Sequence, residues 1–117
     1  MIRSVLLIVT GDPRTSTRPA EAVRIAAGIG AWKMADVSIY FAGPAVLGLS
    51  EAAEDWGDGE PYAEYLPILG GIGRPVYVDK GNPFLSALEE PAVAWQELTD
   101  VELAQLTARS DYVARFD

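Results

Sequence analysis

The sequence predicts an α/β fold of three layers, an α/β/α sandwich in which a mostly parallel five-stranded sheet lies between helices. Two observations carry this prediction. Apolar runs of strand length alternate with helical segments, and the first of these runs is apolar throughout, which is typical of parallel strands covered on both faces. The 117 residues are the length of one domain and half are hydrophobic, so residues 1–117 are predicted to form a single domain.

Five strands and five helices are predicted to alternate along the chain. The strands are short runs rich in branched and aromatic side chains, bounded by turn residues. They are expected at residues 3–10, 36–42, 75–79, 93–96 and 112–116. The helices are expected at residues 18–33, 45–54, 62–69, 83–88 and 101–109, with a break at Pro67. This order favours right-handed crossovers between parallel strands.

Capping residues mark several of the helix boundaries. Ser16 or Thr17 is expected to cap the first helix, whose first turn contains Pro19. Residues 99–102, Thr-Asp-Val-Glu, match the capping box of the last helix. The first helix carries two apolar stripes, so we expect it to contact the sheet and a second surface such as a partner subunit. The apolar run at residues 44–49 fits burial in either the core or an oligomer.

The composition excludes several classes of function. The sequence contains neither cysteine nor histidine, which rules out disulfides, thiolate metal sites, cysteine nucleophiles and the usual general base. The formal net charge is −8, and residues 51–64 carry six acidic and no basic side chains. Binding to nucleic acid or to an anionic membrane needs clustered lysine and arginine, so neither partner is expected. Without a membrane-spanning run or a signal-peptide pattern, a cytoplasmic protein is expected.

A candidate anion site lies in the loop after the first strand. Ligands of open α/β sheets bind beyond the carboxyl ends of the strands. Hydroxyl groups, guanidinium groups and a helix N-terminus come together in this loop, and they suit a phosphate or a carboxylate. The candidate residues are Thr10, Arg14, Ser16, Thr17 and Arg18. The competing and favoured interpretation is an ordinary capped turn with two solvated arginines, because the glycine spacing of a phosphate loop is missing.

A second candidate site lies at the end of the third strand. Asp79 is placed there to act as a general base or to orient a ligand, with Lys80 beside it. Asn82 is the third candidate ligand-binding residue of this site, and it is also expected to cap the short helix that follows, with Pro83 at its first position. The competing and favoured interpretation is a turn-forming aspartate. No residue is assigned a catalytic role.

The acidic stretch of residues 51–64 is expected to be a solvated face, because it lacks the ligand spacing of a calcium loop. We predict no metal site and no cofactor. Trp56, Tyr62 and Tyr65 flank the stretch. Three roles stay open for these aromatic residues: stacking on a flat ligand, anchoring an interface, or packing under a loop.

Three segments of the chain carry a family likeness. They are the helical residues 18–26 after an apolar strand, the strand and Gly-Pro turn of residues 37–46, and residues 98–116, in which an acidic-apolar helix leads to a strand closing on Phe116. In order and spacing they resemble the DsrE/DsrF-like family, the small sulfur-relay proteins. The resemblance implies a mostly parallel five-stranded sheet between helical layers. It also implies homo- or hetero-oligomers, often trimers or hexamers.

The resemblance also implies where sulfur chemistry would take place. In members that transfer persulfide sulfur, the cysteine lies just after strand three, where Asp79, Lys80 or Gly81 stands in this chain. A chain without a thiol forms no persulfide, so that activity is not carried over. The chain is therefore identified as similar to family members that lack the cysteine.

Two functions follow from these observations. The first is a non-catalytic DsrE-like protein that self-associates as a dimer, trimer or hexamer and binds a partner protein or a small, anionic ligand. The alternative is a small anion-, flavin- or nucleotide-binding enzyme or sensor. In that case Arg14 and Arg18 would hold the ligand, and Asp79 or Lys80 would act on it. Enzymatic activity in general stays open, but a sulfurtransferase is not expected.

Overall fold

A computed structural model describes residues 3–31, 35–49, 76–87 and 95–117 of the chain. Its strands are β1 Arg3–Val9, β2 Ala35–Phe41, β3 Val76–Asp79, β4 Trp95–Leu98 and β5 Tyr112–Phe116. Its helices are α1 Arg18–Ala31 and α2 Asp100–Arg109, together with two short 3-10 helices, η1 Gly43–Leu49 and η2 Pro83–Ala87.

The five strands form one sheet in the order β4-β3-β2-β1-β5, and every neighbouring pair is parallel. The central strand pair runs in register from Arg3 opposite Ala35 to Val9 opposite Phe41. The chain returns after α2 to add β5 on the other side of β1, with Val9 opposite Phe116. The predicted five-stranded parallel α/β fold is confirmed.

The main hydrophobic core lies on the face of the sheet that α1 covers, which we call the α1 face. Alternate residues of each strand point to this face, as the period of two requires. The strands contribute large apolar side chains such as Val9, Phe41 and Val78, and α1 contributes Val23 and several alanines; all are almost completely buried. Small alanine side chains on α1 let the helix lie close to the sheet.

The opposite face, which α2 covers, has a smaller core; we call it the α2 face. Its buried members are Leu6, Tyr40 and Leu98, and Leu103 and Leu106 of α2 pack against them while staying half-exposed. None of the residues of α2 is fully buried. The sheet therefore lies between helices on both sides, but the side chains on the α1 face are more completely buried than those on the α2 face.

The described members of both apolar stripes of α1 pack within the chain. Ala22 and Ala26 of one stripe and Val23 and Ala27 of the other belong to the same buried cluster, and Ile25 with Ile29 pack against it. The apolar run after β2 is likewise core, because Val46, Leu47 and Leu49 are buried within the chain. The described part of α1 thus needs no second copy to bury these residues.

Local differences from the predicted elements have local causes. The strand expected to end at residue 96 continues to Leu98, which buries its side chain on the α2 face before Thr99 caps α2; residues 93 and 94 lie outside the described residues. Thr99 and Glu102 form both hydrogen bonds of the capping box, which confirms that prediction. The segments described after β2 and β3 are 3-10 rather than α-helical, with seven residues in η1 and five in η2. Residues 45–49 of η1 are buried.

Several sequence predictions fall outside the described residues. They are the end of the first helix at residues 32–33, the later part of the helix expected at residues 45–54, the acidic stretch with Trp56, Tyr62 and Tyr65, the helix at residues 62–69 with its break at Pro67, and Leu88 at the end of the helix after β3.

Candidate functional site

The predicted site residues lie in two separate clusters at the carboxyl edge of the sheet. Strand β1 ends at Val9 and β3 ends at Asp79, and β2 runs between them. Two strand spacings separate the ends of β1 and β3 by about 10 Å. Thr10 and the loop after it form one cluster, and Asp79 with the loop after β3 forms the other.

Arg14 in the first cluster is paired with a carboxylate of its own loop. Its Nε and Nη2 atoms donate to the two oxygens of Asp12 at 3.0 and 2.8 Å, and its backbone N–H donates to Asp12 Oδ1 at 2.9 Å. The side-chain hydrogen bond from Arg14 is the main cause that lowers the pKa of Asp12. This bidentate pair is the geometry in which arginine holds carboxylates most firmly, so an external anion would compete with Asp12.

Thr17 occupies the position just before α1, where its backbone carbonyl accepts the N–H of Glu21. The hydroxyl of Ser16 accepts the backbone N–H of Arg18 at 3.1 Å, a local bond in the turn that leads into the helix. The guanidinium of Arg18 contacts Glu21 at 3.3 Å and lies 5.3 Å from the ring centroid of Phe116. This distance is typical of a cation–π contact. Of the two predicted capping residues, Thr17 thus stands at the cap position and Ser16 supplies a side-chain oxygen, and both arginines of the loop contact acidic side chains of the chain.

Thr10 is held by a carboxylate from the other end of the sequence. Its hydroxyl donates to Asp117 Oδ1 at 2.6 Å. That hydrogen bond is the main cause that lowers the pKa of Asp117, with Arg115 and Arg18 adding favourable charge. Gly11 permits this approach, because a Cβ there would lie 3.1 Å from the Asp117 carbonyl carbon and 3.2 Å from Pro19 Cδ. The chain therefore places its own carboxylate at Thr10, one of the residues considered as a candidate anion site.

Asn82 in the second cluster ties two loops together. Its side chain is 6% exposed, and its Nδ2 donates to the Gly43 carbonyl at 2.9 Å and to Asp79 Oδ1 at 2.6 Å. Its Oδ1 accepts the N–H of Phe84 at 2.8 Å, which caps η2 as predicted. Gly81 just before it has a φ of +78°, a conformation that favours glycine. One oxygen of Asp79 is thus committed to a structural hydrogen bond.

Lys80 is exposed, and its backbone N–H donates to the Leu98 carbonyl at 2.9 Å. Its ammonium group lies close enough to Glu102 to be a minor favourable influence on that carboxylate, whose pKa is lowered chiefly by the hydrogen bond from the Thr99 N–H. Lys80 therefore faces the start of α2.

Tyr40 is a buried polar residue that the sequence analysis does not single out. It is 3% exposed, and its hydroxyl forms no hydrogen bond within the part of the chain that the structure describes. Burial, with the nearby charges of Asp79 and Asp100, raises its pKa to about 12. At neutral pH it is a phenol, able to donate a hydrogen bond but not to act as a base. Its place between Ile39 and Phe41, at the end of β2, is the sequence signal for its burial.

A polar groove lies further along the α2 face, between α2 and the strands β3 and β4. Its volume is about 150 Å³. Its lining residues are Tyr77, Gln96, Leu98, Glu102, Gln105, Leu106 and Arg109. We call it the α2 groove. The sequence signal that could have found it is the set of polar residues on one face of α2, at positions 102, 105 and 109.

Among the described residues, no group of acidic side chains is arranged to hold a metal ion. No helix in the described ranges has the length and apolar character needed to cross a membrane.

Comparison with known proteins identifies the fold. No protein-family model matches the chain, and no curated protein matches it in sequence. Among solved structures, the ychN protein from E. coli is similar to it with a TM-score of 0.77, and the alignment covers 98% of this chain and 100% of that one. That neighbour has a DsrE/DsrF-like fold. The chain has the DsrE-like fold. At 23% identity, the likeness supports the fold alone.

Proposed function

We propose that this protein is a non-catalytic DsrE-like protein that self-associates and binds a small ligand or a partner protein, and that it carries no sulfur covalently. The observation that carries the proposal is a DsrE-like fold along nearly the whole chain, in a polypeptide without a thiol. A persulfide forms on a cysteine sulfur, and the place after β3 holds instead a turn fixed by Asn82. The scaffold is therefore used for contacts rather than for sulfur transfer.

The outer edge of β5 supports self-association. Tyr112 is 60% exposed and Val113 is 41% exposed, whereas most large apolar side chains of the described residues are covered. The Phe116 carbonyl accepts the Thr10 N–H, so residue 116 faces β1. Because successive residues of a strand alternate in direction, Val113 and Arg115 direct their N–H and C=O groups away from β1. An exposed edge of this kind pairs readily with the strand of a second copy.

The competing function, an anion-binding enzyme or sensor at the loop after β1, has less support. Arg14 is held by Asp12, Thr10 by Asp117, and Arg18 lies against Glu21. A ligand there would have to displace carboxylates of the chain itself.

Light scattering coupled to size exclusion tests the proposed self-association. We expect the wild-type protein to have the mass of an oligomer at micromolar concentration. Val113→Pro removes an outward N–H and keeps every bond to β1, so we expect it to shift the protein toward monomer while the circular dichroism spectrum stays unchanged. Val101→Ser, at a 67% exposed apolar residue of α2, is the matched control and should leave the mass unchanged.

A monomeric wild-type protein would overturn the proposed self-association. An oligomer that Val113→Pro leaves intact would show that β5 is not the contact surface.

A further inference from the structure

We propose that two copies of this protein join through their β5 edges as antiparallel strands, about a twofold axis at Val113, so that their two five-stranded sheets become one. The inference deepens the proposed function and rests on its self-association. It names the partner of the β5 edge, the direction of the pairing and the residues that face each other. A larger assembly would then be built from such dimers through a second surface.

Strand β5 is exposed on both of its faces as well as along its outer edge. Residues 112–115 are all exposed, and Phe116 at the end of the strand is buried. Phe116 belongs to the core of the α1 face, so the even-numbered residues of β5 lie on that face and the odd-numbered ones on the α2 face. Neither helix therefore covers the middle of β5, and the sheet of a second copy can approach this edge.

Symmetry and the backbone limit the pairing to three arrangements. Two identical edges that meet about a twofold axis perpendicular to the sheet form antiparallel strands, and the contact closes at two copies. Pairing of β5 with the opposite edge strand, β4, would instead repeat without closing. The outward-directed residues of β5 are Val113 and Arg115, so each can pair with its own equivalent, or the two can pair with each other.

The charges at the ends of the strand decide among these arrangements. Pairing Arg115 with its equivalent would place two guanidinium groups opposite each other, and pairing Val113 with Arg115 would place Asp111 opposite Asp117. Like charges directly opposite each other destabilise a pair of strands. Pairing Val113 with its equivalent places Arg115 opposite Asp111 of the second copy. By symmetry this favourable charge pair occurs twice.

The two charged side chains are accessible for this contact. Arg115 is 63% exposed, and its Nη2 lies 3.4 Å from Oδ1 of the 68% exposed Asp117. Such an exposed ion pair contributes little to stability, so exchanging it costs little. Asp111 is 40% exposed and uses Oδ2 to accept the Ser4 N–H at 2.8 Å, while Oδ1 lies 3.8 Å from Arg3. The Oδ1 atom of Asp111 is therefore open to Arg115 of the second copy.

The same arrangement covers the exposed apolar side chains of β5. Val113, which is 41% exposed, meets its equivalent at the axis on the α2 face. On the α1 face, the 60% exposed Tyr112 lies opposite Ala114 of the second copy, where a large ring faces a small methyl group. Cross-strand pairs of this kind stabilise a sheet, so the favourable charge pairs and the apolar contacts call for one and the same alignment.

Cysteine cross-linking of the full-length protein tests the alignment. The chain contains no cysteine, so Val113→Cys, Ala114→Cys and Arg115→Cys each carry a single thiol. In the proposed dimer the two Cα atoms of residue 113 lie about 5.5 Å apart, within the range of a disulfide. Those of residue 114 lie about 8 Å apart and those of residue 115 about 14 Å apart, which is too far. Under copper–phenanthroline and air, Val113→Cys should form the covalent dimer at least about tenfold faster than either neighbour.

Charge reversal tests the pairing of Arg115 with Asp111. Arg115→Glu would place two carboxylates opposite each other at both ends of the contact, so we expect the dissociation constant of the dimer to rise at least about tenfold at low salt and less at high salt. Arg24→Glu makes the same change of net charge at an exposed residue of α1 and should leave the constant unchanged. Light scattering over a dilution series measures both. Equal effects of the two reversals would overturn the charge pairs.

The remaining outcomes separate the inference from the function on which it rests. Faster cross-linking of Ala114→Cys or Arg115→Cys than of Val113→Cys would overturn the axis at Val113 and leave self-association in place. An oligomer in which none of the three variants cross-links would overturn the β5 contact, again without touching self-association. A monomeric wild-type protein would overturn both.

Discussion

The two faces of the sheet are built from the same strands but differ in how apolar and how completely buried their side chains are. The α1 face is almost wholly apolar, and its core includes Val9, Val23, Phe41 and Val78 at no more than 2% exposure. The α2 face buries few residues, and one of them, Tyr40, carries a hydroxyl. The difference teaches that packing against α1 supplies most of the apolar burial among the described residues, while the α2 face keeps more of its side chains in contact with water.

The largest expected effect is on the α1 face. Phe41→Ala leaves a cavity in a closely packed core and should lower the free energy of unfolding by about 3–5 kcal/mol. Leu103→Ala, on the half-exposed packing surface of α2, should lower it by about 1 kcal/mol, because fewer contacts are lost and water can enter. Urea unfolding followed by circular dichroism measures both. Equal losses of unfolding free energy in the two variants would contradict the unequal burial of the two faces.

Asn82 offers the next largest effect, at the carboxyl edge where the two faces meet. Asn82→Asp replaces a donor by a carboxylate oxygen facing Asp79 and the Gly43 carbonyl, and should destabilise the protein by about 2–3 kcal/mol at neutral pH. Urea midpoints give the comparison. Ser86→Ala, which removes one exposed local hydrogen bond, is the control and should cost less than about 0.5 kcal/mol.

If Asn82→Asp had no more effect on stability than Ser86→Ala, the Asn82 hydrogen bonds would not be what holds the loop after β3 in place. The interpretation of Asp79 as a committed structural residue would then fail.

Tyr40 gives a smaller effect that depends on pH. Its pKa is raised to about 12 in the folded protein, against about 10 in an unfolded chain. Below about pH 10 the phenol is neutral in both the folded and the unfolded protein. As the pH rises toward about 12, the unfolded chain loses the Tyr40 proton more readily than the folded protein, so the free energy of unfolding falls. The wild type should therefore lose about 1–2 kcal/mol over this interval relative to Tyr40→Phe.

At neutral pH Tyr40→Phe should be about 1 kcal/mol more stable than the wild type, since it removes a buried hydroxyl that has no partner in the described chain. Thermal melting of both proteins at neutral and alkaline pH provides the measurement. Parallel pH dependences would show that the Tyr40 hydroxyl is not buried as described.

The elements that were predictable from sequence depend on neighbours along the chain. The capping box joins Thr99 to Glu102, and the turn before α1 joins the Ser16 hydroxyl to the Arg18 N–H; both follow from short-range residue patterns. The parallel sheet followed from the alternation of apolar runs with helical segments. The pairing of Arg14 with Asp12 is equally local, yet it was missed because the loop was considered for external anions.

The contacts that were not predictable depend on strand order. The hydrogen bond from Thr10 to Asp117 joins residues 107 positions apart, and it exists because β5 lies beside β1. Asn82 reaches Gly43 because β3 lies beside β2. The α2 groove likewise requires β4 at the far side of the sheet. Periodicity cannot supply these neighbours, because it fixes the face of a residue and not the adjacent strand.

Amide hydrogen exchange of the full-length protein tests most directly the claim that the α1 face holds the fold while the edge strand β5 makes the contact between copies. Exchange would be recorded at low and high protein concentration. We predict that high concentration slows exchange at Val113 and Arg115, and that Phe41 is the slowest of these amides and unchanged. Protection gained instead on α1, or no change at β5 between the two concentrations, would contradict the account.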